Sequence, residues 1–324
     1  EAEADPVLEA GRAELAGLLS VSPAGLAFVE SATVALAVLL AAWPLRPGGT
    51  VAVVPSEWGP NLHAFGIAGL TITELAVHED GTLDLDRLEH FLAATPPAFV
   101  HLTQVASHRA LVQPVAQAAA LCHAAGVPLW VDAAQALGHV DTATGADVQY
   151  ATSRKWLAGP RGIGLLAVAE RWWDGLQVRP SPMQLAAMPG ASPVRLLESH
   201  EANVPGRAGL CTSVREYTGA GPAKVWSRLA EVGTLTRQAL RGLPGWAVVE
   251  PGGTSVAITA LRPAAGQDVR EVRSRLIAEH GIVTTAAATT RAPREMTGPL
   301  LRVSPHVDCT AADLGRLREA LQAL

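Results

Sequence analysis

The chain has 324 residues, of which 49% are hydrophobic, and its formal net charge at pH 7 is −5. This length can fill one large or two ordinary domains, and the acidic balance disfavours binding to nucleic acids or to anionic membrane surfaces. The longest apolar stretch, about 32–43, is shorter than the roughly 20 residues of a membrane span. We therefore expect a folded globular protein that acts on small polar metabolites, with no nucleic-acid or membrane partner.

The three cysteines, Cys122, Cys211 and Cys309, have neither the spacing of metal ligands nor an even number for disulfide pairing. This usage is typical of a reducing compartment, so we expect a cytoplasmic protein without a metal site. The chain begins with Glu1 rather than methionine, and we expect that a preceding segment is missing from it.

The first two thirds of the chain alternate short apolar runs with alanine-rich helical patterns. The runs that predict strands are, in order, TVAVVP, LTITELAV, AFVHLTQV, VPLWVDAA, DVQYATS and GIGLLAVA. Helices are predicted between them for NLHAFGIAG, LDRLEHFLAA and PVAQAAALCHAAG. This alternation indicates an α/β fold whose mainly parallel sheet is covered by helices on both faces.

The last third of the chain has a different pattern. A stretch rich in proline and glycine, 179–209, interrupts the alternation and predicts a linker or an active-site crossing, and a single long helix is predicted after it, over about 212–241. Short strands (AVVE, SVAITAL, GIVTT and LLRVSP) and two helices (DVREVRSRLIAEH and AADLGRLREALQ) are predicted to complete the chain. We expect a large domain over 1–210 and, over 211–324, the long helix with a smaller α/β domain.

Ligands of parallel α/β sheets bind beyond the carboxyl ends of the strands, so residues directly after each predicted strand are candidates for function. Asp132 follows the apolar run PLWV, where a carboxylate is partly desolvated and needs a cationic or donor partner; helix capping is the simpler alternative. Lys155 follows the next predicted strand and is one of only two lysines in the chain. Partial desolvation there favours the neutral amine that reacts with aldehydes, although a solvated loop lysine is the common alternative.

Two short segments have the chemistry to bind a phosphate. Segment 31–33 (Ser-Ala-Thr) opens a predicted helix, where free backbone N–H groups and hydroxyls bind phosphate well but also serve as an ordinary N-cap. Segment 152–154 (Thr-Ser-Arg) adds hydroxyl and guanidinium donors beside Lys155. The order of these segments predicts that a phosphate, a lysine and an acid converge.

The runs VPLWVDAAQALGHV and ADVQYATSRKWLAGPRGIG resemble the central block of the class V aminotransferases and cysteine desulfurases, a group of pyridoxal 5′-phosphate enzymes. The resemblance covers nearly all of the chain, and the order of its Asp-Ala-Ala-Gln and Ser-Arg-Lys elements is fairly specific. It implies fold type I, with a mainly parallel seven-stranded sheet in a large domain and a small C-terminal α/β domain. It also implies a homodimer in which each site is completed by the neighbouring subunit.

The resemblance assigns roles around the cofactor ring. Lys155 is then the catalytic residue that binds the cofactor covalently, and Asp132 pairs with the ring nitrogen, so that the ring stays an electron sink. Trp58, in PSEWGPN, falls where a ring-stacking side chain is expected. Gln104 and Gln135 are candidates for the phenolic oxygen of the cofactor and its surroundings.

The resemblance likewise assigns residues to the phosphate and to the substrate. The cofactor phosphate is expected at the helix start, near Ala32 and Thr33, and at Thr152 and Arg154, the last of which stands where many relatives have histidine. Arg302, in LLRVSPH, matches the arginine that grips the α-carboxylate of the substrate, a task suited to a bidentate guanidinium.

Departures from the family pattern narrow the expected activity. Cysteine desulfurases carry a nucleophilic cysteine shortly before the Arg302 segment, whereas this region reads TTAAATTRAPREMTGP and contains none, so desulfurase activity is disfavoured. Val204 stands where those relatives use a threonine to contact the phosphate bound by the neighbouring subunit, which puts that contact in question. The stretches SEWGPN and SHEANVPGRAGL resemble instead the carbon–sulfur lyases of ergothioneine biosynthesis, which cleave hercynylcysteine sulfoxide.

The implied reaction is β-elimination from a cysteine S-conjugate, a small amino-acid substrate, to give a sulfenate, pyruvate and ammonia. An aminotransferase or an epimerase of another amino acid stays open, because the same residues serve all three reactions. A binding protein with a decayed site is a further alternative. A nicotinamide oxidoreductase is disfavoured, because GPRGIG lacks the full glycine pattern and precedes a predicted strand.

Overall fold

The computed structural model describes residues 5–199, 201–250 and 253–324. The chain divides into two compact units. Unit 1 comprises the described parts of 1–55, 60–105 and 113–221, and unit 2 comprises 56–59, 106–112 and the described parts of 222–324. None of the helices in the described ranges has the length and apolar character needed to cross a membrane.

Seven strands of the described residues form one sheet in unit 1. In chain order they are β1 Leu26–Val29, β2 Thr50–Val53, β3 Thr71–Glu74, β4 Phe99–Thr103, β5 Leu129–Asp132, β6 Val148–Thr152 and β7 Gly164–Val168. Their order in space is β1-β7-β6-β5-β4-β2-β3. All pairs among β2 to β6 are parallel, whereas β7 runs antiparallel to both β6 and β1. The predicted α/β fold with a mainly parallel seven-stranded sheet is thereby confirmed.

Helices alternate with these strands along the chain. Up to Gly221, the described ones are α1 Asp5–Leu18, α2 Ala32–Ala42, α3 Gly59–Ile67, α4 Leu85–Ala94, α5 Val115–Ala124, α6 Pro182–Ala187 and α7 Val204–Ala220. Apolar side chains of α2 and α3, such as Leu39 and Phe65, pack on the sheet in one buried cluster with Phe99 and Trp130. The rings of Phe99 and Trp130 stack with their centroids 3.8 Å apart.

Unit 2 is built around a smaller, wholly antiparallel sheet. Its described strands are β8 Trp246–Val248, β9 Thr259–Pro263, β10 Thr285–Ala287 and β11 Leu300–Val303, in the order β10-β11-β9-β8. Its described helices are α8 Pro222–Leu240, α9 Val269–His280 and α10 Ala311–Ala323. Leu240, Leu261, Leu301 and Leu317 are buried in one cluster that joins these helices to the sheet.

The single long helix predicted over about 212–241 is wrong. The structure has two helices there, because α7 ends at Ala220 and α8 begins at Pro222. Gly221 between them has a φ of 87°, which favours glycine, and Pro222 lacks the N–H that would continue the hydrogen bonding of α7. The boundary expected after residue 210 falls inside α7, and all of α7 lies in unit 1.

Candidate functional site

Six strands of the unit 1 sheet have their carboxyl ends at the same edge. Strand β1 points the same way as β6, because both run antiparallel to β7; Gly164 pairs with Val29 on one side and Thr152 on the other. We call this the carboxyl edge. The segments that follow β1, β4, β5 and β6 start here, and the predicted site residues in or beside them are Ala32, Thr33, Gln104, Asp132, Gln135, Thr152, Arg154 and Lys155.

Asp132 ends β5 and is only 6% exposed. Its Oδ2 accepts a hydrogen bond from Nδ2 of Asn61 at 3.1 Å, and its Oδ1 accepts from the N–H of Ala134 at 2.8 Å. Both of these donors are neutral amide groups. No helix starts after Asp132, so helix capping does not explain it. A buried carboxylate that accepts from neutral donors is suited to a cationic ligand group, such as a protonated ring nitrogen.

Asn61, on α3, is a residue that the sequence reasoning missed. It is 4% exposed and holds one oxygen of Asp132 by the bond described above. An amide donor restricts the orientation of the carboxylate. Its position in SEWGPN, three residues after the predicted ring-stacking Trp58, could have indicated that Asn61 belongs to the site.

Lys155 lies in a loop whose two ends are joined by hydrogen bonds. The hydroxyl of Ser153 donates to the carbonyl oxygen of Pro160, and the N–H of Gly159 donates to the carbonyl oxygen of Ser153 at 3.0 Å. Loop 153–160 therefore has a fixed base at the end of β6, and Lys155 is half-buried within it. A closed loop on a rigid strand end can hold an amine in one place.

The loop of Lys155 packs against the turn that follows Asp132. The indole N–H of Trp156 donates to Oε1 of Gln135 at 2.9 Å, and its ring stacks on His139 with the centroids 3.8 Å apart. Gly138 has a φ of 83°, and a Cβ atom there would lie 2.9 Å from the carbonyl carbon of Trp156. These contacts join the two segments that carry the predicted acid and the predicted amine.

The contact with Trp156 also orients the amide of Gln135. An indole N–H can only donate, so the amide oxygen of Gln135 must face it. The amide NH₂ group is then directed away from Trp156 and can donate to an oxygen of a ligand.

Gln104 has a different environment. Its Nε2 donates to the carbonyl oxygen of Asp141 at 2.7 Å, while its Oε1 is buried and has no hydrogen-bond partner among the described residues. Because a phenolic oxygen that has lost its proton needs a donor, the geometry favours Gln135 over Gln104 for that contact.

The start of α2 has hydrogen-bond donors suited to an anion. Oγ of Ser31 accepts from the N–H of Val34 at 3.2 Å and caps the helix. The N–H groups of Ala32 and Thr33 are among the first of the helix, which have no partner inside it, and the helix dipole adds a partial positive charge there. A phosphate group fits such a terminus.

The predicted partners at the end of β6 lie on the same edge. The hydroxyl of Thr152 donates to the carbonyl oxygen of Ile163 at 3.4 Å, a long bond that a charged acceptor can replace. The side chain of Arg154 is exposed and belongs to the loop of Lys155. Both residues can contribute donors to an anion.

Two predicted site residues, Arg302 and Trp58, belong to unit 2. On β11, Nη1 of Arg302 donates to the carbonyl oxygen of Ser107 at 2.5 Å and Nη2 donates to Oγ1 of Thr285 at 3.3 Å. Its Nε is buried without an acceptor among the described residues. Burial lowers the pKa of Arg302 to about 10, and the positive charge of Arg291 adds to this. A guanidinium held only by neutral acceptors is suited to a carboxylate ligand.

Trp58 lies directly before α3 and is half-buried. Its backbone N–H donates to Oε1 of Glu57 at 2.8 Å. The guanidinium carbon of Arg291 lies 5.2 Å from the centroid of the indole ring, a cation–π contact that sequence reasoning did not predict.

Comparisons with known proteins identify relatives over almost the full chain. The family model for class-V aminotransferases matches residues 1–317. A probable hercynylcysteine sulfoxide lyase of Mycobacterium tuberculosis is 45% identical over 318 residues, which cover 98% of this chain and 80% of that protein. An isopenicillin N epimerase of Amycolatopsis lactamdurans is 30% identical over 355 residues, covering 98% of this chain and 85% of that protein.

Solved structures share the fold. A cysteine desulfurase of Thermococcus onnurineus matches with a TM-score of 0.87 at 18% identity, over 99% of this chain and 84% of that one. The cystine C–S lyase C-DES, solved in complex with cysteine persulfide, matches with a TM-score of 0.86 at 16% identity, over 99% of this chain and 87% of that one.

Proposed function

The chain belongs to the class-V aminotransferase family, and we propose that it is a pyridoxal 5′-phosphate-dependent carbon–sulfur lyase. The reaction is β-elimination from a cysteine S-conjugate, with hercynylcysteine sulfoxide as the substrate. The 45% identity to a probable lyase of that name supports the choice of substrate. The structural observation that carries the proposal is the buried Asp132, which accepts hydrogen bonds from the neutral donors Asn61 and Ala134 and ends the strand before the turn that packs on the loop of Lys155.

The residues of the carboxyl edge fit this cofactor. Pyridoxal 5′-phosphate has a ring nitrogen that can carry a proton, a phenolic oxygen, an aldehyde and a phosphate. Asp132 suits the ring nitrogen, the NH₂ group of Gln135 suits the phenolic oxygen, and Lys155 suits the aldehyde. The start of α2, with Thr152 and Arg154, suits the phosphate.

When bound, the cofactor draws electrons from Cα of the amino acid and so makes the Cα proton removable. Nζ of Lys155 takes this proton as the general base. Asp132 holds a proton at the ring nitrogen, and Asn61 keeps the carboxylate in place for this. Arg302 binds the α-carboxylate of the substrate.

The electron pair from the Cα–H bond forms a double bond to Cβ, and the Cβ–S bond breaks. Sulfur leaves as a sulfenate, whose oxygen carries the negative charge, and water converts the remaining three-carbon fragment into pyruvate and ammonium. Conversion of the sulfenate to a thiol needs two electrons and a proton source, which we assign to an external thiol reductant.

Replacement of the proposed base tests the assignment. Lys155→Ala is expected to abolish pyruvate release from hercynylcysteine sulfoxide and to prevent borohydride from fixing the cofactor to the protein, because no amine remains at the reacting position. Lys224→Ala, which removes the exposed second lysine on α8, is the matched control. Normal lyase activity of Lys155→Ala, or cofactor fixed to another peptide of the wild type, would show that the base is elsewhere.

Epimerisation is the second candidate reaction, because a relative with 30% identity over almost the full chain is an isopenicillin N epimerase. Product analysis separates the reactions. A lyase releases pyruvate and ammonia without a keto-acid acceptor, an aminotransferase needs such an acceptor, and an epimerase only inverts the configuration at Cα.

Two expectations from the sequence stay predictions. A homodimer rests on the family resemblance and is tested by light scattering of the purified protein. A cytoplasmic location rests on the isolated cysteines, and fractionation of the producing cells tests it.

A further inference from the structure

Two half-buried arginines of unit 2, Arg291 and Arg302, form no ion pair with a carboxylate of the described residues. Arg302 has the neutral acceptors Ser107 and Thr285, and no described residue provides a hydrogen-bond acceptor or an acid for Arg291. Burial lowers the pKa of both arginines, and the positive charge of Arg291 adds to the lowering at Arg302. Two half-buried cations with only neutral partners are suited to binding anionic groups of a ligand.

The acid nearest to Arg291 along the chain is already engaged. Oε1 of Glu295 accepts from Nε of Arg109 at 2.5 Å and lies 3.3 Å from Nε2 of His108. These partners lower the pKa of Glu295 although burial alone would raise it, so the carboxylate is ionised and its charge is balanced by Arg109. Arg291 therefore has no acid of its own segment to pair with.

The position of Arg291 is fixed before any ligand binds. It ends the short helical turn Thr289–Arg291, and its N–H donates to the carbonyl oxygen of Ala288 at 3.0 Å. A Cβ atom at Gly59 would lie 2.0 Å from the carbonyl oxygen of Thr290, so glycine allows the two backbones to touch. The cation–π contact with Trp58 then orients the guanidinium.

We infer that Arg291 binds a second acidic group of the substrate, carried by the leaving group, while Arg302 binds the α-carboxylate. This inference rests on the proposed function and adds a substrate class to it: cysteine S-conjugates whose sulfur substituent carries an acidic group. Arg291 is then a specificity-determining residue, and its contribution appears in substrate binding rather than in the rate of C–S cleavage.

Two sulfoxides that differ by one carboxylate test this assignment. S-carboxymethyl-L-cysteine sulfoxide has an acid on the leaving group, whereas S-methyl-L-cysteine sulfoxide has none. In the cofactor-loaded protein, Arg291→Gln is expected to raise KM for the carboxymethyl compound about 10- to 100-fold, as for loss of a charge-assisted hydrogen bond, with kcat unchanged. KM for the methyl compound should change less than about twofold, and Arg291→Lys should restore part of the affinity.

Arg294→Gln is the charge-matched control, because this exposed residue lies three positions away on the same segment. In Arg294→Gln, we expect the ratio of KM for the carboxymethyl compound to KM for the methyl compound to equal that of the wild type. Equal effects of Arg291→Gln on both sulfoxides, or no effect on either, would overturn the inference.

Dissociation constants from calorimetric titration separate this inference from the proposed function. If the wild type binds the carboxymethyl compound more tightly than the methyl compound and Arg291→Gln removes the difference, Arg291 binds the second acid even if no pyruvate forms. In that case the lyase assignment alone fails. If the wild type binds both compounds equally or neither, the assignment of Arg291 fails, whatever the reaction.

Discussion

At the scale of single residues, the sequence allowed prediction of the residues with charge but not of those that orient them. Lys155 and Asp132 were conspicuous, as a scarce lysine and an acid after an apolar run. Asn61 and Trp156 act through hydrogen bonds to Asp132 and Gln135, and such bonds depend on how distant segments meet. The sequence also could not distinguish Gln135 from Gln104, because the two differ only in the hydrogen-bond partners that they have in the folded protein.

The bond between Trp156 and Gln135 yields a test at this scale. Trp156→Phe keeps an aromatic ring to stack on His139 but removes the indole N–H, so the amide of Gln135 loses its fixed orientation. The Kd for pyridoxal 5′-phosphate is expected to rise about 5- to 10-fold, as for the loss of one hydrogen bond. Equilibrium dialysis measures this, and Trp173→Phe is the control, because it loses an indole bond to the carbonyl of Val168. Unchanged cofactor affinity in Trp156→Phe would contradict the assigned orientation.

At the scale of elements, the sequence patterns gave the strands other than β1 and most helices, since the spacing of apolar residues reflects burial directly. The error over 212–241 arose because the helical pattern continues on both sides of a Gly-Pro pair, and only the backbone chemistry of Gly221 and Pro222 separates α7 from α8. The antiparallel direction of β7 was equally hidden, because strand direction depends on the path of the connecting loop. That direction is what places α2 at the carboxyl edge.

The packing of α2 on β7 can be tested through Gly164. A Cβ atom there would lie 2.6 Å from the carbonyl oxygen of Ala151 and 2.8 Å from the carbonyl carbon of Ser31, so Gly164→Ala must displace the start of α2 or the pairing of β6. We expect about 1–3 kcal/mol of lost stability, as for an overpacked core. The Kd for pyridoxal 5′-phosphate should rise about tenfold, because the anion-binding N–H groups move.

Thermal denaturation measures the loss of stability, and equilibrium dialysis with pyridoxal 5′-phosphate measures the change in Kd. Gly315→Ala, on α10, is the control, because no atom lies within 4 Å of the added Cβ. Gly164→Ala with the stability and cofactor affinity of the wild type would show that α2 tolerates the displacement.

At the scale of the whole molecule, the alternation of apolar runs with helical patterns allowed the fold class to be predicted, and the family resemblance supplied the cofactor, the reaction class and Arg302. Neither gave Arg291, because it lies in a short turn without periodicity. Which charges remain unbalanced depends on the ion pairs formed after folding, such as that between Arg109 and Glu295.

The three thiols report on the integrity of the folded molecule. Burial raises the pKa of Cys122 to about 12 and that of Cys211 to about 11, whereas Cys309 is partly exposed. At pH 8 we expect iodoacetamide to modify only Cys309 in the native protein and all three cysteines in urea, because thiolates are the reactive form. Mass spectrometry of the peptides measures this, and rapid native labelling of Cys122 would contradict the burial described here.

The raised pKa values of Cys122 and Cys211 also make the stability of the folded protein depend on pH in the alkaline range. The folded state keeps protons on Cys122 and Cys211 that the unfolded chain releases near pH 9. Their contribution to stability is therefore complete below pH 9 and is lost as the pH rises toward 11 to 12.

The reversed direction of β7 has a consequence for synthesis of the protein. Because Val29 pairs with Gly164, the first strand cannot take its place until most of unit 1 has left the ribosome. The proposed phosphate site at the start of α2 is therefore completed only after the five strands β2 to β6 and then β7 have been translated. Nascent chains halted before Gly164 should fail to capture the cofactor, however well their completed strands have formed.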